Sequence, residues 1–581
     1  MPEQRLINTP RSADLVTSKV LVGGTELSRS YQVMSLMIEK EINRIPTARI
    51  ELLDGDPASQ DFQLSNTDLL IPGTKIELLA GYHNQEDSLF KGIVIKHSLK
   101  IRGGQAYLQV ECKDEAVKMT IGRRSKYFYD MKDSNIIEEI AGTYGLTTDV
   151  EASSVQHKEL VQYQSTDWDF CIVRAQANGK VAVVEDGKIR VKKPDFSQAE
   201  VETVAFGATL LDFDAEIDAR WQFQKVTAHG WNPADQELLN IEAVDPGVSL
   251  NGNLSPSDLA TVVGHSNLQL KNGGVSNEST LQQWADSKAL FNQLAKVRGR
   301  VRFQGIEGVK PDTTLKLEGV GDRFNGKVYV SAVRHQISNG NWIVDAQFGI
   351  NPQWFSESVD INEIPASGLV AAVNGLQVGL VTQLESDPDG EDRIKVNLPM
   401  VSRNEQGIWA RVSTLDAGNQ RGSFFRPEIG DEVLVGFINA NPNDAIVLGM
   451  LNSSNKPAPL TASDDNHEKG FVTRSKMKFI FNDDKKSVIL ETPVGKRIRV
   501  DEDTDEIVVE DQHSNVFKLN PDGISLITMG KIVLKATQDV SIEGLNVNVK
   551  ATALMKAEGM GGAELSSVGA TIVKGSQVMI N

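Results

Sequence analysis

Residue types that do chemistry are present in this chain, but no familiar catalytic pattern gathers them. The eight histidines are scattered, and a histidine needs company to make a site. His467-Glu468 has the start of a zinc-protease helix signature and lacks its second histidine. Asp387-Pro388-Asp389-Gly390-Glu391-Asp392 has the acidic look of a calcium loop. It has neither the ligand spacing nor the distal glutamate of one, so a hairpin turn is expected. Gly319 and Gly321 do not precede a helical pattern and therefore do not read as a dinucleotide loop. The chain contains no Gly-x-Ser-x-Gly and no Walker loop. His97 and His335 close two similar apolar runs, Val94 to His97 and Val330 to His335, and are expected to be packed or hydrogen-bonded. Cys112 and Cys171 have no metal-ligand spacing and are expected to be reduced and structural. The expectation is no catalytic residue, no metal and no cofactor.

The remaining composition points to a soluble assembly part. A chain of 581 residues has room for about three to five domains. Its net charge of −18 argues against nucleic acid as a partner, because phosphate neutralisation needs a basic surface. The opening MPEQRLINTP lacks a basic-then-apolar run, and no apolar stretch approaches the ~20 residues needed to cross a bilayer. Synthesis in the cytoplasm without a signal peptide is expected, with any export by a route other than Sec.

Residues 522–581 are the most telling segment. They contain no proline, aromatic, histidine or cysteine. Ile532-Val533-Leu534, Val540-Ser541-Ile542 and Val547-Asn548-Val549 recur at steps of seven or eight residues. Weaker echoes follow at Met555, Leu565 and Ile572-Val573. Alternation predicts strands with one buried face. One strand and one bend per step is too little chain to close a solenoid coil alone. Three identical chains wound together remove the difficulty, with Ile532, Leu534, Val540, Ile542, Val547 and Val549 filling a shared axis. The run ends on Val578-Met579-Ile580-Asn581, expected to present apolar atoms and strand edges to a separate capping protein.

Upstream, the chain reads as strand-rich over 1–125, mixed over 126–220, strand-rich again over 221–355, a connector over 356–374, a compact strand-and-turn block over 375–457, and hairpins leading into the repeats over 458–581. Ser134 is expected to cap a helix over 135–144. A second helix follows Asp167, and a third over 279–296 shows an apolar face of Leu281, Trp284, Phe291 and Leu294. The five short strands of 375–457 suggest a small closed barrel of the OB type. Within it, Pro427 and Gly430 set a turn before an alternating strand through Val433 and Val435. Pro442 shapes the next turn, and Gly449 is expected to permit close backbone approach. An internal duplication is also visible. Pro72-Gly73-Thr74-Lys75-Ile76-Glu77-Leu78 resembles Pro311-Asp312-Thr313-Thr314-Leu315-Lys316-Leu317, and Phe90-Lys91-Gly92 matches Phe324-Asn325-Gly326 as a bend. Two similar barrels in each of three chains would make a six-barrel ring above a threefold needle, a six-to-three symmetry adaptor.

Four stretches carry a family resemblance. They are Val161-Gln162-Tyr163-Gln164-Ser165-Thr166-Asp167-Trp168-Asp169-Phe170, then Gly319-Val320-Gly321-Asp322-Arg323-Phe324-Asn325-Gly326 with Val333-Arg334-His335. Next come Arg426-Pro427-Glu428-Ile429-Gly430-Asp431-Glu432-Val433-Leu434-Val435-Gly436-Phe437 and Asn441-Pro442-Asn443-Asp444-Ala445-Ile446-Val447-Leu448-Gly449-Met450-Leu451-Asn452. In this order they resemble the VgrG family, the hub-and-spike proteins of contractile injection systems. The resemblance implies a mainly β fold: duplicated hub β-barrels with an α/β insertion, an OB-fold barrel and a C-terminal trimeric intertwined β-helix, or β-prism. It implies a homotrimer that meets a hexameric inner tube protein, baseplate proteins, a PAAR-type tip protein and effectors, and meets the target membrane on firing. Assembly into a baseplate or tail-like particle follows. Type VI secretion apparatus, released particle and phage tail share these features. The competing readings are a tail spike with cell-wall-degrading activity and a trimeric receptor-binding fibre.

Overall fold

The computed structural model describes residues 15–248, 251–264 and 266–580. The chain divides into two compact units. One comprises residues 1–375 with 437–444, the other 376–436 with 445–581.

A 13-stranded sheet dominates the first unit. Strict alternation makes it. Thr47–Leu53 buries Ala48, Ile50 and Leu52, and its antiparallel partner Gln105–Lys113 sets Cys112, Val110 and Leu108 directly opposite them. The first duplicated piece supplies Lys75–Tyr82 paired with Gln85–Arg102, and the second supplies Thr314–Glu318 paired with Gly326–Ser338. Each pair continues into a third antiparallel strand, Gln105–Lys113 and Asn341–Phe348. The halves meet where Gly326–Ser338 runs antiparallel to Val33–Glu41, so one ladder and one hydrophobic core pass through both. The Phe-x-Gly match is not the same feature in both places. Phe90-Lys91-Gly92 lies inside a strand, whereas Phe324-Asn325 closes the turn from Gly321 that precedes Gly326. The strand paired with Phe90 is long enough to carry the ladder past it, and the second piece has a turn there.

An α/β layer follows. Helices α1 (Asp133–Thr143) and α2 (Asp167–Ala177) share a core with the strands Thr147–Val150, Lys188–Lys192 and Val181–Glu185. Ser134 does not cap α1. It lies inside the helix, where its hydroxyl accepts the Ser153 amide at 3.2 Å, and the helix starts after Lys132 with no side-chain cap. Thr166 does cap α2, accepting the Asp169 amide at 3.0 Å. After the short α3 (Pro256–Ala260), helix α4 (Glu278–Leu294) is capped by Asn277. It lays Leu281 and Ala285 against a three-stranded sheet of Glu237–Glu242, Lys225–Asn232 and Asn267–Val275. The α5 turn (Phe355–Ser358) sends Phe355 back into the α/β core. Cys112 and Cys171 are both buried free thiols. Among the described residues no helix is long and apolar enough to cross a membrane.

The second unit opens with a closed five-stranded barrel, Gln377–Gln383, Ile394–Asn397, Ile408–Val412, Ala445–Met450 and Glu432–Phe437. Seven antiparallel strands then form a single meander: Glu468–Val472, Lys478–Asn482, Ser487–Glu491, Arg497–Asp501, Glu506–Glu510, Val516–Asn520 and Gly523–Ile527. Residues 528–580 continue as extended chain and bends, without a strand ladder of their own.

Candidate assembly faces

The chemically suggestive residues are occupied in structural roles. His97 Nδ1 lies 3.1 Å from the Leu70 carbonyl, which can only accept, so Nδ1 carries the proton and Nε2 accepts the Ser65 hydroxyl at 2.6 Å. His335 is fully buried and accepts the indole N–H of Trp342 at its Nδ1 over 3.3 Å. Burial, with Lys40 and Lys310 nearby, pushes its pKa down to about 3, so the ring is neutral. Asp387 accepts the amides of Asp389, Glu391 and Arg393 and the guanidinium of Arg393. Its carboxyl is held well below the usual range, first by the Arg393 side chain. The acidic stretch is a hairpin turn latched by an arginine. Glu468 begins the first meander strand, and His467 receives the Asp483 amide on its carbonyl. No cluster of three or more His, Cys, Asp or Glu suited to a metal occurs among the described residues.

One ionic cluster escaped the sequence reading. Asp133, at the start of α1, takes Arg174 on both oxygens (2.6 and 3.0 Å), Asn178 at 2.8 Å and His157 at 3.1 Å. Burial raises its pKa, but the bonds from His157, Arg174 and Asn178 outweigh that and hold it well below normal. The partners sit 24, 41 and 45 residues away, beyond any local sequence pattern. They tie α1, α2 and the Gln156–Ser165 strand together.

In the barrel, Val433 and Val435 are fully buried and Pro427 is buried. Gly430 has φ +83° and donates its amide to the Val381 carbonyl at 2.7 Å, while Lys456 grips Gly430 O and Asp431. Half-buried Pro442 sits in a turn organised by Asn441, whose side chain accepts the Asn443 amide and donates to Asp444. Gly449 does not serve a close approach. A Cβ there would meet nothing within 4 Å, and its φ is not positive.

The meander carries the least ordinary surface. Its register lines up Phe471, Phe479, Leu490, Ile498, Val509, Phe517 and Leu526 as direct cross-strand neighbours through all seven strands. A second row on the same face runs Phe481, Val488, Val500, Ile507, Leu519 and Ile524. Residues of the first row are 37 to 55% exposed. The opposite face carries the ion pairs together with Ile480, Ile489 and Val508, of which Ile480 and Val508 are buried. Lys478, Glu491, Arg497 and Glu510 alternate in sign across four strands at 3.9, 3.7 and 3.3 Å. Arg499 pairs with Asp501 at 2.8 Å and with Glu506 at 3.1 Å, and Lys518 pairs with Glu506. The sheet therefore gathers its ion pairs on one side and leaves two apolar rows half-bare on the other, unlike a sheet packed on its own core.

Ile532 joins the end of the first apolar row, lining with Leu490, Ile498, Val509, Phe517 and Leu526 a concavity of about 830 Å³. Leu534, Val540, Ile542, Val547 and Val549 are each more than half exposed, and the structure does not bring them into a common core. Val578, Met579 and Ile580 are exposed, and Asn581 lies outside the described residues.

Comparison with known proteins places these features. Residues 12–339, more than half of the chain, match the family model described as the Alg8 N-terminal domain. Residues 377–451 match the type VI secretion system/phage-baseplate injector OB domain. The type VI secretion system spike protein VgrG1b of Pseudomonas aeruginosa is 22% identical over 505 residues, covering 81% of this chain and 63% of VgrG1b. The spike protein VgrG3 of Vibrio cholerae is 28% identical over 149 residues, covering 22% of this chain and 14% of VgrG3. The chain thus spans less than two thirds of the length of these relatives. Among solved structures, a chain of the half-lidded Francisella PdpA–VgrG complex aligns at 10% identity and a TM-score of 0.39, over 90% of this chain and 89% of that one. Over its first half the chain belongs to the family described as the Alg8 N-terminal domain, and the injector OB domain behind it and the VgrG relatives mark it as a VgrG-like spike protein.

Proposed function

We propose that the protein is the structural hub and spike of a contractile injection machine, working as a homotrimer. The observation that carries this is the two-row apolar face of the meander. A face of that length on a soluble chain requires covering. Two further copies of the same sheet supply it, each apolar face turned to a common axis and each ionic face turned to water. The terminal repeats extend the same logic, with Ile532, Leu534, Val540, Ile542, Val547 and Val549 as needle core. Residues 528–580 form no ladder within one chain because a step of seven or eight residues takes its strand partners from the other two copies.

On this reading the needle leads and the hub half faces a hexameric inner tube protein, with baseplate proteins around it. Val578, Met579, Ile580 and Asn581 meet a PAAR-type tip protein, and effectors ride on the spike into the target cell across its membrane. The role is mechanical, with no catalytic residue, metal or cofactor assigned. Because Asp387 is held by Arg393 and His335 is buried and neutral, they lend nothing to a cell-wall-degrading alternative. Sedimentation and native mass of the full chain test the proposal. An elongated particle of three times 63.6 kDa is expected, and a compact monomer would sink it.

A further inference from the structure

The apolar strip of the meander does not stop at its first strand. Phe471, where the first row begins, is stacked on Phe425 of the barrel, with ring centroids 5.0 Å apart and planes 10° from parallel. Phe425 ends a small hairpin. Its two rungs, Ala417–Gly418 and Arg421–Gly422, pair antiparallel, and Ser423 donates its amide to the Asp416 carbonyl at 2.9 Å. Just below the rungs stand Leu415 and Phe424, 89 and 88% exposed.

This hairpin is built to hold one shape. Arg421 donates to both oxygens of Asp416 at 2.8 and 3.0 Å. Gly422 has φ +134°, and a Cβ there would sit 2.3 Å from the Asp416 carbonyl oxygen, so only glycine fits. A preformed hairpin presenting a leucine and a phenylalanine to water is the anatomy of a binding element whose ordering cost is already met.

We propose that this hairpin is an arm that clasps a second copy of this chain, Leu415 and Phe424 packing against it where the apolar row begins. The inference rests on the trimeric reading above and goes beyond it by making the barrel part of the seam. The occupant is another copy because Phe425 and Phe471 make the arm continuous with the face that the other copies cover.

The test uses the full chain with p-benzoylphenylalanine in place of Phe424, and separately in place of Ile498 as a probe of the meander face. Irradiation of the trimer is expected to give denaturation-resistant products of twice and three times the chain mass from both positions. A native trimer that cross-links from Ile498 and not from Phe424 overturns the arm and leaves the trimer standing. A native monomer overturns both. Cross-linking from Phe424 to a different baseplate protein in assembled particles also overturns it. As a second measure, the double variant Leu415→Ser, Phe424→Ser is expected to speed trimer dissociation about tenfold, as for loss of an interface anchor. An unchanged rate contradicts the arm.

Discussion

Arg174 holds both carboxylate oxygens of Asp133, at 2.6 and 3.0 Å, across 41 residues of sequence. The pair is nearly closed to water, with Asp133 at 1% side-chain exposure and Arg174 at 19%. Removing one partner strands the other in a poorly hydrated site. Asp133→Ala is therefore expected to destabilise the hub by about 3 kcal/mol, read from its unfolding midpoint in urea. The same pair has an acid signature. Its folded pKa lies below the ordinary 3.8, so its stabilisation is complete above that value and is lost as pH falls below it. Asp133→Ala is expected to weaken the acid sensitivity of the hub below pH 4 specifically.

His335 gives a separate window. Its pKa falls from 6.5 to about 3 on folding, first through burial and then through Lys40 and Lys310. The folded ring stays neutral while the unfolded ring takes a proton below pH 6.5, so stability drains away from pH 6.5 down to about 3. Stability-versus-pH curves for His335→Leu are expected to lose a slope of about one proton in that range. An unchanged slope would show that the imidazole is not buried neutral.

Gly305 and Trp342 test the join between sequence and packing in the second hub half. A Cβ on Gly305 would fall 2.1 Å from the indole, which is itself buried, stacked on Tyr82 and bonded to His335. Gly305→Ala is expected to cost about 2 kcal/mol through displacement of the ring. Gly308→Ala, whose Cβ would meet nothing within 4 Å, is expected to stay within about 0.5 kcal/mol. Tryptophan fluorescence during urea unfolding reads both.

What was legible in the sequence follows from range. The meander strands were visible because Ile498 and Val500 alternate with charges and Ile507-Val508-Val509 is a short apolar run between glutamates, and both signals are local. The start of α2 was visible because Asp167 opens an apolar helical period behind Thr166. The start of α1 was misplaced because Ser134 looks like a cap, while its hydroxyl is used by Ser153 19 residues away. The Asp133 cluster and the Gly305–Trp342 contact could not be read, since each joins residues that only the folded sheet brings together. The two apolar rows were hidden for another reason. Alternation shows that each strand has an apolar side, but only the register shows that seven such sides coincide.

That coincidence leads to the last prediction. Ile498 sits mid-row between Leu490 and Val509 and is 44% exposed in the single chain. Covering its remaining surface contributes about 1 kcal/mol per chain by area, and a carboxylate in its place adds the larger cost of burying an unpaired charge. Ile498→Asp is therefore expected to abolish the trimer at micromolar concentration while leaving the hub's unfolding midpoint unchanged. Lys478→Gln on the opposite face removes one member of a 3.9 Å, half-exposed pair and is expected to change trimer stability by less than about 0.5 kcal/mol. Sedimentation velocity on both variants separates the faces. A trimer that survives Ile498→Asp would show that the apolar rows do not face the shared axis.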